Sequence, residues 1–339
     1  MENLPKSIRV SLGSAIVLKI LRGKLDAMPT TAYLLTYKRG KCAANCSFCP
    51  QARGSKGRSD MLSRVSWPAF PTRHILRGMR RAVGDGWIKR ICLQALNYPG
   101  VFGHLLALVK TIGSEIQVPT SISCQPLDGE NIKKLAEAKA ERICIPLDAA
   151  TEEIFNEVKG YSVGGPYVWQ NQTRLLSQAV DIFGRRKVTT HLIVGLGETE
   201  REMVETIQKC VDTGVVPALF AFTPIPGTVM ENTAQPSLRK YRRVQFARHL
   251  IYHEITRCDH IKFDEQDNIS SFGISKEKMK AIIRTGEPFL TSGCPDCNRP
   301  YYNEKPGGPI YNYPKPLVKV ETRAIYQVLA TNQEGANVL

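Results

Sequence analysis

The sequence predicts an α/β fold: a TIM-like parallel β/α barrel, open or nearly closed, with a C-terminal extension. Two observations predict it. Short β-rich apolar segments alternate with longer segments whose apolar residues recur every three or four positions, about six or seven times along the 339 residues. This alternation implies parallel strands with right-handed crossovers. About seven strands suit a barrel. A doubly wound open sheet is the alternative, because the spacing of the elements does not separate the two.

Seven segments are predicted strands because they are short, apolar and rich in β-branched and aromatic residues. In chain order they are 31–37, 88–94, 116–124, 142–148, 187–195, 217–223 and 260–264. Helical periodicity is clearest in 131–140, 170–184 and 200–214, and a further helix is predicted over 8–23 before the first strand. These elements predict one barrel domain over residues 1–285.

The composition changes from about residue 286. Segment 291–316 is dense in Pro, Gly and Tyr, and a last helix is predicted over 317–331. We expect residues 286–339 to form an extension that packs against the barrel and carries Cys294 and Cys297, a Cys-x2-Cys pair.

Composition and charge limit the classes of protein. Hydrophobic residues make up 42%, as in globular chains. No segment resembles a signal peptide or approaches the roughly 20 apolar residues of a membrane span, so we expect a cytoplasmic protein without membrane contact.

The net charge is +15, with Arg and Lys concentrated in 73–90 and 238–248. These are either solvated helix faces or surfaces that attract an acidic protein or an anionic small molecule. Nucleic acid is not expected, because no aromatic platform or zinc-finger spacing accompanies them.

Ten cysteines in a cytoplasmic chain favour metal or redox chemistry over disulfides. Cys210 and Cys258 are predicted to be ordinary buried thiols.

Cys42, Cys46 and Cys49 form a Cys-x3-Cys-x2-Cys loop after the first predicted strand, at the end of the barrel where such folds carry chemistry. Three thiolates within eight residues can bind three irons of a [4Fe-4S] cube and leave the fourth open. A zinc loop completed by a distant ligand is the alternative.

This spacing, with Phe48 just before the last cysteine, resembles the signature of radical S-adenosylmethionine (SAM) enzymes, and "CSFCPQAR" resembles biotin synthase. The resemblance covers about residues 30–265. It implies that S-adenosyl-L-methionine chelates the open iron through its amino and carboxylate groups. It also implies reductive cleavage to a 5′-deoxyadenosyl radical that abstracts hydrogen from an unactivated C–H bond. We therefore expect no protein general base at that step.

Four further motifs, in the family's order, are implied to contact S-adenosyl-L-methionine. "ICLQALNYPG" corresponds to the methionine end, although the usual glycine pair is absent. Asp148 in "ICIPLDAA" corresponds to an acid that binds the ribose. "LIVGLGETE" and "FTPIPGT" correspond to the adenine, and Glu198 is expected to open the next helix. The implied contact residues are Phe48, Gln94, Ala95, Asp148, Gly195, Gly197, Glu198 and Thr223. Each motif alone is weak, since a glycine after a strand is more often a turn; their order behind the cysteine loop gives them weight.

Biotin synthase and lipoyl synthase carry a second cluster as sulfur donor, and the resemblance implies one here. Cys92 and Cys124 fall where two second-cluster cysteines of biotin synthase lie, but Thr189 replaces the third, and the arginine ligand has no match in 260–268. The remaining cysteines predict an auxiliary [4Fe-4S] cluster bound by Cys92, Cys124, Cys294 and Cys297. Cys144 is an alternative member, because strand alternation puts it on the same face as Asp148. A zinc knuckle in the extension is the competing interpretation.

We therefore expect a lipoyl synthase subunit of the two-component archaeal kind, which inserts sulfur into the octanoyl chain of a protein-bound octanoyl-lysine. Its expected partners are an acidic octanoylated lipoyl carrier domain, a related second radical SAM subunit and an electron donor such as ferredoxin. The alternatives are a biotin synthase acting on dethiobiotin and a partner subunit without its own sulfur transfer.

Overall fold

The structure, a computed structural model, describes residues 4–125, 128–305 and 307–330. Its strands are β1 (Ser7–Val10), β2 (Thr31–Thr36), β3 (Met61–Leu62), β4 (Val65–Ser66), β5 (Ala69–Pro71), β6 (Arg90–Gln94), β7 (Thr120–Ser123), β8 (Arg142–Cys144), β9 (Val188–Val194), β10 (Val215–Ala221), β11 (Lys262–Phe263) and β12 (Ile269–Ser271).

The helices alternate with the strands. They are α1 (Leu12–Val17), α2 (Thr72–Gly84), α3 (Val101–Glu115), α4 (Gly129–Glu137), α5 (Glu152–Val158), α6 (Trp169–Phe183), α7 (Glu200–Thr213), α8 (Leu238–Tyr252), α9 (Lys276–Thr285) and α10 (Lys319–Ala330). Among the described residues, no helix is both long and apolar enough to cross a membrane.

The main sheet confirms the predicted parallel β/α barrel, in its partial form. Its order is β10-β9-β8-β7-β6-β2-β1-β5, and the strands from β2 to β10 pair in parallel. The antiparallel strands β1 and β5 extend it beyond β2. The doubly wound alternative is wrong, because the parallel strands lie side by side in chain order without the reversal that defines that fold. Over the described ranges the edge strands β10 and β5 do not pair, so the barrel is open on one side.

Alternation along each strand divides the side chains between two environments. On β6, Ile91 and Leu93 point outward into the apolar core beneath the helices, while Cys92 and Gln94 line the barrel interior. Side chains alternate in the same way on β9, where Val188 is part of the outer core and Thr189 and His191 line the interior. The parallel wall therefore has an apolar outer face and a chemically mixed inner one.

Two predicted elements are wrong. The segment 8–23 is not one helix, because Ser7–Val10 pairs with β2 as a strand, and α1 ends at Val17 before Lys19 adopts a positive φ of 57°. The segment 260–264 is not a barrel strand, since its β11 pairs with β12 in a separate two-stranded sheet. Tertiary pairing overrides the local pattern in both places.

The extension crosses the open side of the barrel. Residues 291–303, the closing segment, touch strands on both sides of the opening. The hydrogen bonds that fasten it join Ser292 to Leu219, Pro295 to Arg90, Asp296 to Thr30 and Thr31, Arg299 to Tyr33, and Asn303 to Thr223. The predicted domain boundary at 285/286 stays a prediction, and residues 331–339 of the predicted extension lie outside the described part.

Arg90 is the buried anchor of the closing segment. Its Nε donates to Pro295 O at 2.8 Å, its Nη1 donates to Ser121 Oγ at 2.9 Å, and it pairs with Glu141, while only 3% of its side chain is exposed. Arg90→Leu should lower the free energy of unfolding by roughly 3 kcal/mol, because it leaves polar groups buried without partners. Chemical denaturation measures this change.

The matched control is Arg77→Leu on the exposed face of α2, which should change stability by less than about 0.5 kcal/mol. Limited proteolysis should cut Arg90→Leu, but not the control, within 291–303. Equal stability and equal cleavage of the two variants would show that this anchor is unimportant.

Candidate active site in the barrel interior

A cavity of about 280 Å³ occupies the barrel interior, and two groups of cysteines face it. Cys42, Cys46 and Cys49 line it from the loop that follows β2, at the carboxyl ends of the strands. The second group lies nearer to the amino ends and consists of Cys92, Cys144, Cys294 and Cys297, and Cys124 also borders the cavity. The second group is called the inner cysteines below. The elements bring both groups to the lining of one cavity.

The three-cysteine loop, residues 39–55, is held by its own backbone. Cys42 N donates to Gln51 O at 2.8 Å, and Cys49 N donates to Cys46 O at 3.1 Å. The Cys42 sulfur itself accepts a hydrogen bond from Asn97 N at 3.1 Å. Donation by backbone N–H groups stabilises negative charge on sulfur, so this loop is suited to hold thiolates.

Burial opposes ionisation of these thiols. It raises the pKa of Cys49 to about 12 and raises that of Cys46 as well, although the nearby Lys159 ammonium acts in the opposite direction on Cys46. Because metals bind the thiolate, bound iron would have to supply the missing positive charge. Three neighbouring thiols on one loop fit a [4Fe-4S] cube. In a cube each cysteine binds a different iron, so the sulfurs need not converge on one point. Accordingly, no three His, Cys, Asp or Glu side chains in the described ranges surround a single ion position.

A buried ion pair lies beside this loop. Lys159 Nζ is 2.6 Å from Asp148 Oδ2, donates to Pro146 O at 2.5 Å, and lies over the Phe155 and Tyr167 rings. Lys159 is 1% exposed. Asp148 lines the cavity, which is the position that its implied role as a ribose-binding acid requires. Its carboxylate is already paired with Lys159. Sequence reasoning missed Lys159, because a single lysine after a short helix carries no motif.

The remaining residues implied to contact S-adenosyl-L-methionine divide into two sets. Phe48, Gln94, Ala95 and Thr223 line the cavity together with Asp148. Gly195, Gly197 and Glu198 do not line it. Gly195, at φ 105°, lies against Pro236, whose Cδ would be 2.8 Å from an added Cβ, so a side chain there would clash with the proline.

The sequence predicted that Glu198 opens the next helix, but the structure shows otherwise. Thr199 is the N-cap of α7, with a capping box to Glu202. The Glu198 carboxylate instead accepts hydrogen bonds from Gly195 N and Leu196 N, at 2.8 and 2.9 Å, and pairs with Lys240 at 3.0 Å. These hydrogen bonds stabilise the turn that contains Gly195 and Gly197.

The inner cysteines lie near one another. Burial and the nearby Cys294 thiol raise the pKa values of both Cys92 and Cys144, and Cys297 adds to the effect on Cys92. Cys294 Sγ accepts from Ser121 Oγ at 3.4 Å, and Cys297 Sγ lies 3.5 Å from the Tyr33 hydroxyl. Two barrel strands and the closing segment thus contribute to one group of four thiols.

The sequence predicted Cys124 as a member of this group. It borders the same cavity, but none of the inner cysteines affects its pKa. It shares the parity of Ile122 and belongs with it to the outer apolar core. Burial alone raises its pKa to about 12, without a contribution from another thiol. Cys144, the predicted alternative, takes its place, because Cys144 and Ser123 are register partners whose side chains face inward.

Three further polar side chains line the cavity, and the sequence analysis had singled out only Thr189. Arg299 donates to Leu219 O, lies 3.7 Å from the Phe220 ring, and lowers the pKa of Cys297, against the larger effect of burial. His191 packs on the same ring, and burial lowers its pKa to about 4. Thr189 Oγ1 is buried without a hydrogen-bond partner in the described part of the chain. The alternation of side chains along β9, which turns His191 towards the cavity, was the available signal for that residue.

Comparison with known proteins identifies the class. Residues 39–210, half of the chain, match the family model of the radical SAM superfamily. The chain belongs to that superfamily, and the family implies S-adenosyl-L-methionine and a [4Fe-4S] cluster as cofactors. A search of the curated proteins found no match.

Two solved structures share the fold. The FeFe-hydrogenase maturase HydG from Carboxydothermus hydrogenoformans has 17% identity and a TM-score of 0.52, over 72% of this chain and 55% of that one. Methylornithine synthase (PylB) has 15% identity and a TM-score of 0.50, over 69% and 67%. The chain thus spans little more than half the length of HydG. Both likenesses concern the fold.

Lys159 and Asp148 should behave as a coupled buried pair. Lys159→Met should lower the free energy of unfolding of the cluster-free chain by roughly 3–5 kcal/mol, because it leaves the Asp148 carboxylate, 12% exposed, without its cation. Adding Asp148→Asn should recover much of that loss. A double-mutant cycle by chemical denaturation measures the coupling, with exposed Lys133→Met as the control. Additive losses would contradict the pairing.

His191 should make stability depend on pH. Its folded pKa, about 4, lies below the unfolded value of about 6.5, so its contribution is present above pH 6.5 and is lost as the pH falls towards 4. The loss should approach roughly 3 kcal/mol. Near it, the Asp148 charge raises this pKa, while Arg299 and Lys159 lower it. His191→Gln should flatten the pH profile of stability over this interval. Exposed His74→Gln should leave it unchanged, and identical profiles for both variants would contradict the assignment.

Proposed function

We propose that the chain is a sulfur-inserting radical SAM enzyme of the lipoyl synthase type, acting on the octanoyl chain of a protein-bound octanoyl-lysine. The observation that carries the proposal is the second group of thiols, because the inner cysteines face the same cavity as the three-cysteine loop. Replacing C–H by C–S needs a hydrogen-abstracting centre and a sulfur source within reach of one bound substrate. A single cavity between two cysteine groups meets that requirement.

Each group would hold one cluster. Cys42, Cys46 and Cys49 would bind the [4Fe-4S] cluster that leaves one iron for S-adenosyl-L-methionine, and the inner cysteines would bind an auxiliary [4Fe-4S] cluster. When bound, the first cluster supplies the electron for cleavage of S-adenosyl-L-methionine and the second supplies sulfur. Within the chain, Asp148 would bind the ribose, held in position by Lys159. Phe48, Gln94 and Thr223 would line the cofactor, while Gly195, Gly197 and Glu198 would shape the turn near the adenine.

The space between the two cysteine groups suits an alkyl chain. Tyr33, Leu35 and Leu96 belong to one apolar cluster that contacts Cys42 on one side and Cys92 and Cys297 on the other. A methylene buried against such surfaces contributes about 0.8 kcal/mol to binding. An octanoyl chain offers six such methylenes and a terminal methyl, so roughly 5 kcal/mol is available before ordering costs.

The first alternative is a biotin synthase acting on dethiobiotin, which "CSFCPQAR" favours. Thr189 argues against it, because this inward-facing residue stands where biotin synthase has a cluster cysteine. The second alternative is a partner subunit without sulfur transfer. Two intact cysteine groups argue against that reading, because a scaffold needs no oxygen-sensitive cluster. The proposed partners remain an acidic octanoylated carrier domain, a related second radical SAM subunit and a ferredoxin-like electron donor.

The cluster content should separate Cys144 from Cys124. After anaerobic reconstitution the wild type should bind about eight irons, and Cys144→Ser or Cys294→Ala/Cys297→Ala should reduce this to about four. Cys124→Ser is the matched control, buried to a similar degree, and should keep about eight. Iron and sulfide analysis with Mössbauer spectra gives the count. Four irons in the wild type, or a loss with Cys124→Ser alone, would refute the ligand set.

The substrate is tested with the same reconstituted enzyme, together with a related partner subunit, S-adenosyl-L-methionine and dithionite. Octanoyl-lysyl carrier protein should gain one or two sulfur atoms by mass spectrometry, with 5′-deoxyadenosine formed alongside. Cys42→Ala should abolish both products. Sulfur found only on dethiobiotin would favour the biotin synthase reading, and absence of 5′-deoxyadenosine would exclude both enzyme readings.

A further inference from the structure

An exposed patch lies directly over the three-cysteine loop. Two neighbouring loops clasp that loop: Asn45 Nδ2 donates to Val163 O at 2.7 Å, and Met230 N donates to Ser47 O at 3.3 Å. Each clasping loop displays one large apolar side chain to solvent. Tyr161 is 75% exposed and Val229 is 80% exposed. Both side chains are therefore available for contact with another molecule.

Basic side chains surround these two residues. Residues 38–58 contain six Lys and Arg and no Asp or Glu. Arg53, Lys56 and Arg58 are exposed. Arg53 Nη2 donates to Gly164 O at 2.7 Å, beside Tyr161, and Lys56 N donates to Gly227 O at 2.8 Å, beside Val229.

Few acids offset this charge. Asp60 pairs with Arg58 at 2.7 Å, and Glu231 accepts from Gly227 N at 2.6 Å, so both carboxylates are engaged locally. Glu157 on α5 is exposed. The patch, here called the donor face, therefore has two apolar side chains within a predominantly basic rim, which is the composition of a protein interface.

We propose that the donor face docks a small acidic one-electron carrier protein, which reduces the cluster held by the three-cysteine loop. The inference rests on the proposed function, since it needs a cluster at Cys42, Cys46 and Cys49. One electron leaves the reduced centre of the carrier and one electron enters the oxidised cluster, and no bond forms or breaks. The carrier needs only to approach the backbone of the loop, whereas an acylated lysine must reach the cavity itself.

Electron transfer to the cluster requires a short distance from the docked carrier, and the carrier has to bind weakly and quickly. Electron-transfer encounters bury little area, so two apolar side chains and a few charges suffice. The basic rim accelerates association with an acidic surface, and salt weakens that effect. The loop backbone separates the donor face from the thiols, so a docked carrier would lie one loop thickness from the cluster.

The test measures the rate of 5′-deoxyadenosine formation with two reductants, reduced acidic ferredoxin and dithionite. The test variant is Lys56→Glu/Tyr161→Ser/Val229→Ser, in which no changed side chain makes a described hydrogen bond. The matched control is Arg77→Glu/Val320→Ser, which alters an exposed base on α2 and a 70% exposed valine on α10. Iron content and melting temperature verify that each variant is intact.

With ferredoxin at low ionic strength, the test variant should be at least about tenfold slower than wild type, and added salt should slow wild type more than the variant. With dithionite all three proteins should be equal. Ferredoxin-driven rates equal to wild type would overturn the inference, as would an equal loss in the control. Loss of carrier sulfuration under dithionite in the test variant alone would assign the patch to the acylated carrier instead. Failure of the proposed function differs from all of these, because wild type with dithionite would then make no sulfurated product.

Discussion

The barrel wall is open on one side, and closing that side is the constraint on which the rest of the structure depends. The parallel strands β2 to β10 form an incomplete cylinder, and the closing segment touches both β10 and β2 across the gap. Without it, the inward-facing side chains would meet water. Its anchors are hydrogen bonds to backbone groups and to side chains such as Arg90, Thr31 and Tyr33, rather than a further strand.

The same segment completes the chemistry of the interior. It brings Cys294 and Cys297 near Cys92 and Cys144, which the barrel strands supply, so the same segment both covers the open side of the barrel and completes the group of four thiols. Buried cations accompany each cysteine group. Lys159 lies near Cys46, and Arg299 lies near Cys297, and each favours the thiolate against the larger effect of burial. Cationic groups placed this way lower the cost of an anionic cluster in an apolar interior.

The sequence allowed the parallel β/α barrel and the three-cysteine loop after its first strand to be predicted, because these depend on periodicity and on motifs that are local in the chain. The errors arose where one residue or a distant contact decides. Cys124 follows β7 by one residue, and parity turns it outward, while Cys144 faces inward. The N-terminal strand forms only because β2 offers it a partner, which no local pattern reveals. Lys159 becomes significant only through its contact with Asp148, and Glu198 through the turn that it holds.

The central claim is that two cysteine groups hold two separate iron–sulfur clusters within one cavity. The most direct measurement is anaerobic crystallography of the reconstituted protein, with anomalous diffraction recorded at the iron absorption edge. The account predicts two iron-containing peaks, one beside Cys42, Cys46 and Cys49 and one among the inner cysteines, with Cys124 next to neither. A single peak beside the three-cysteine loop, or zinc between Cys294 and Cys297, would contradict it.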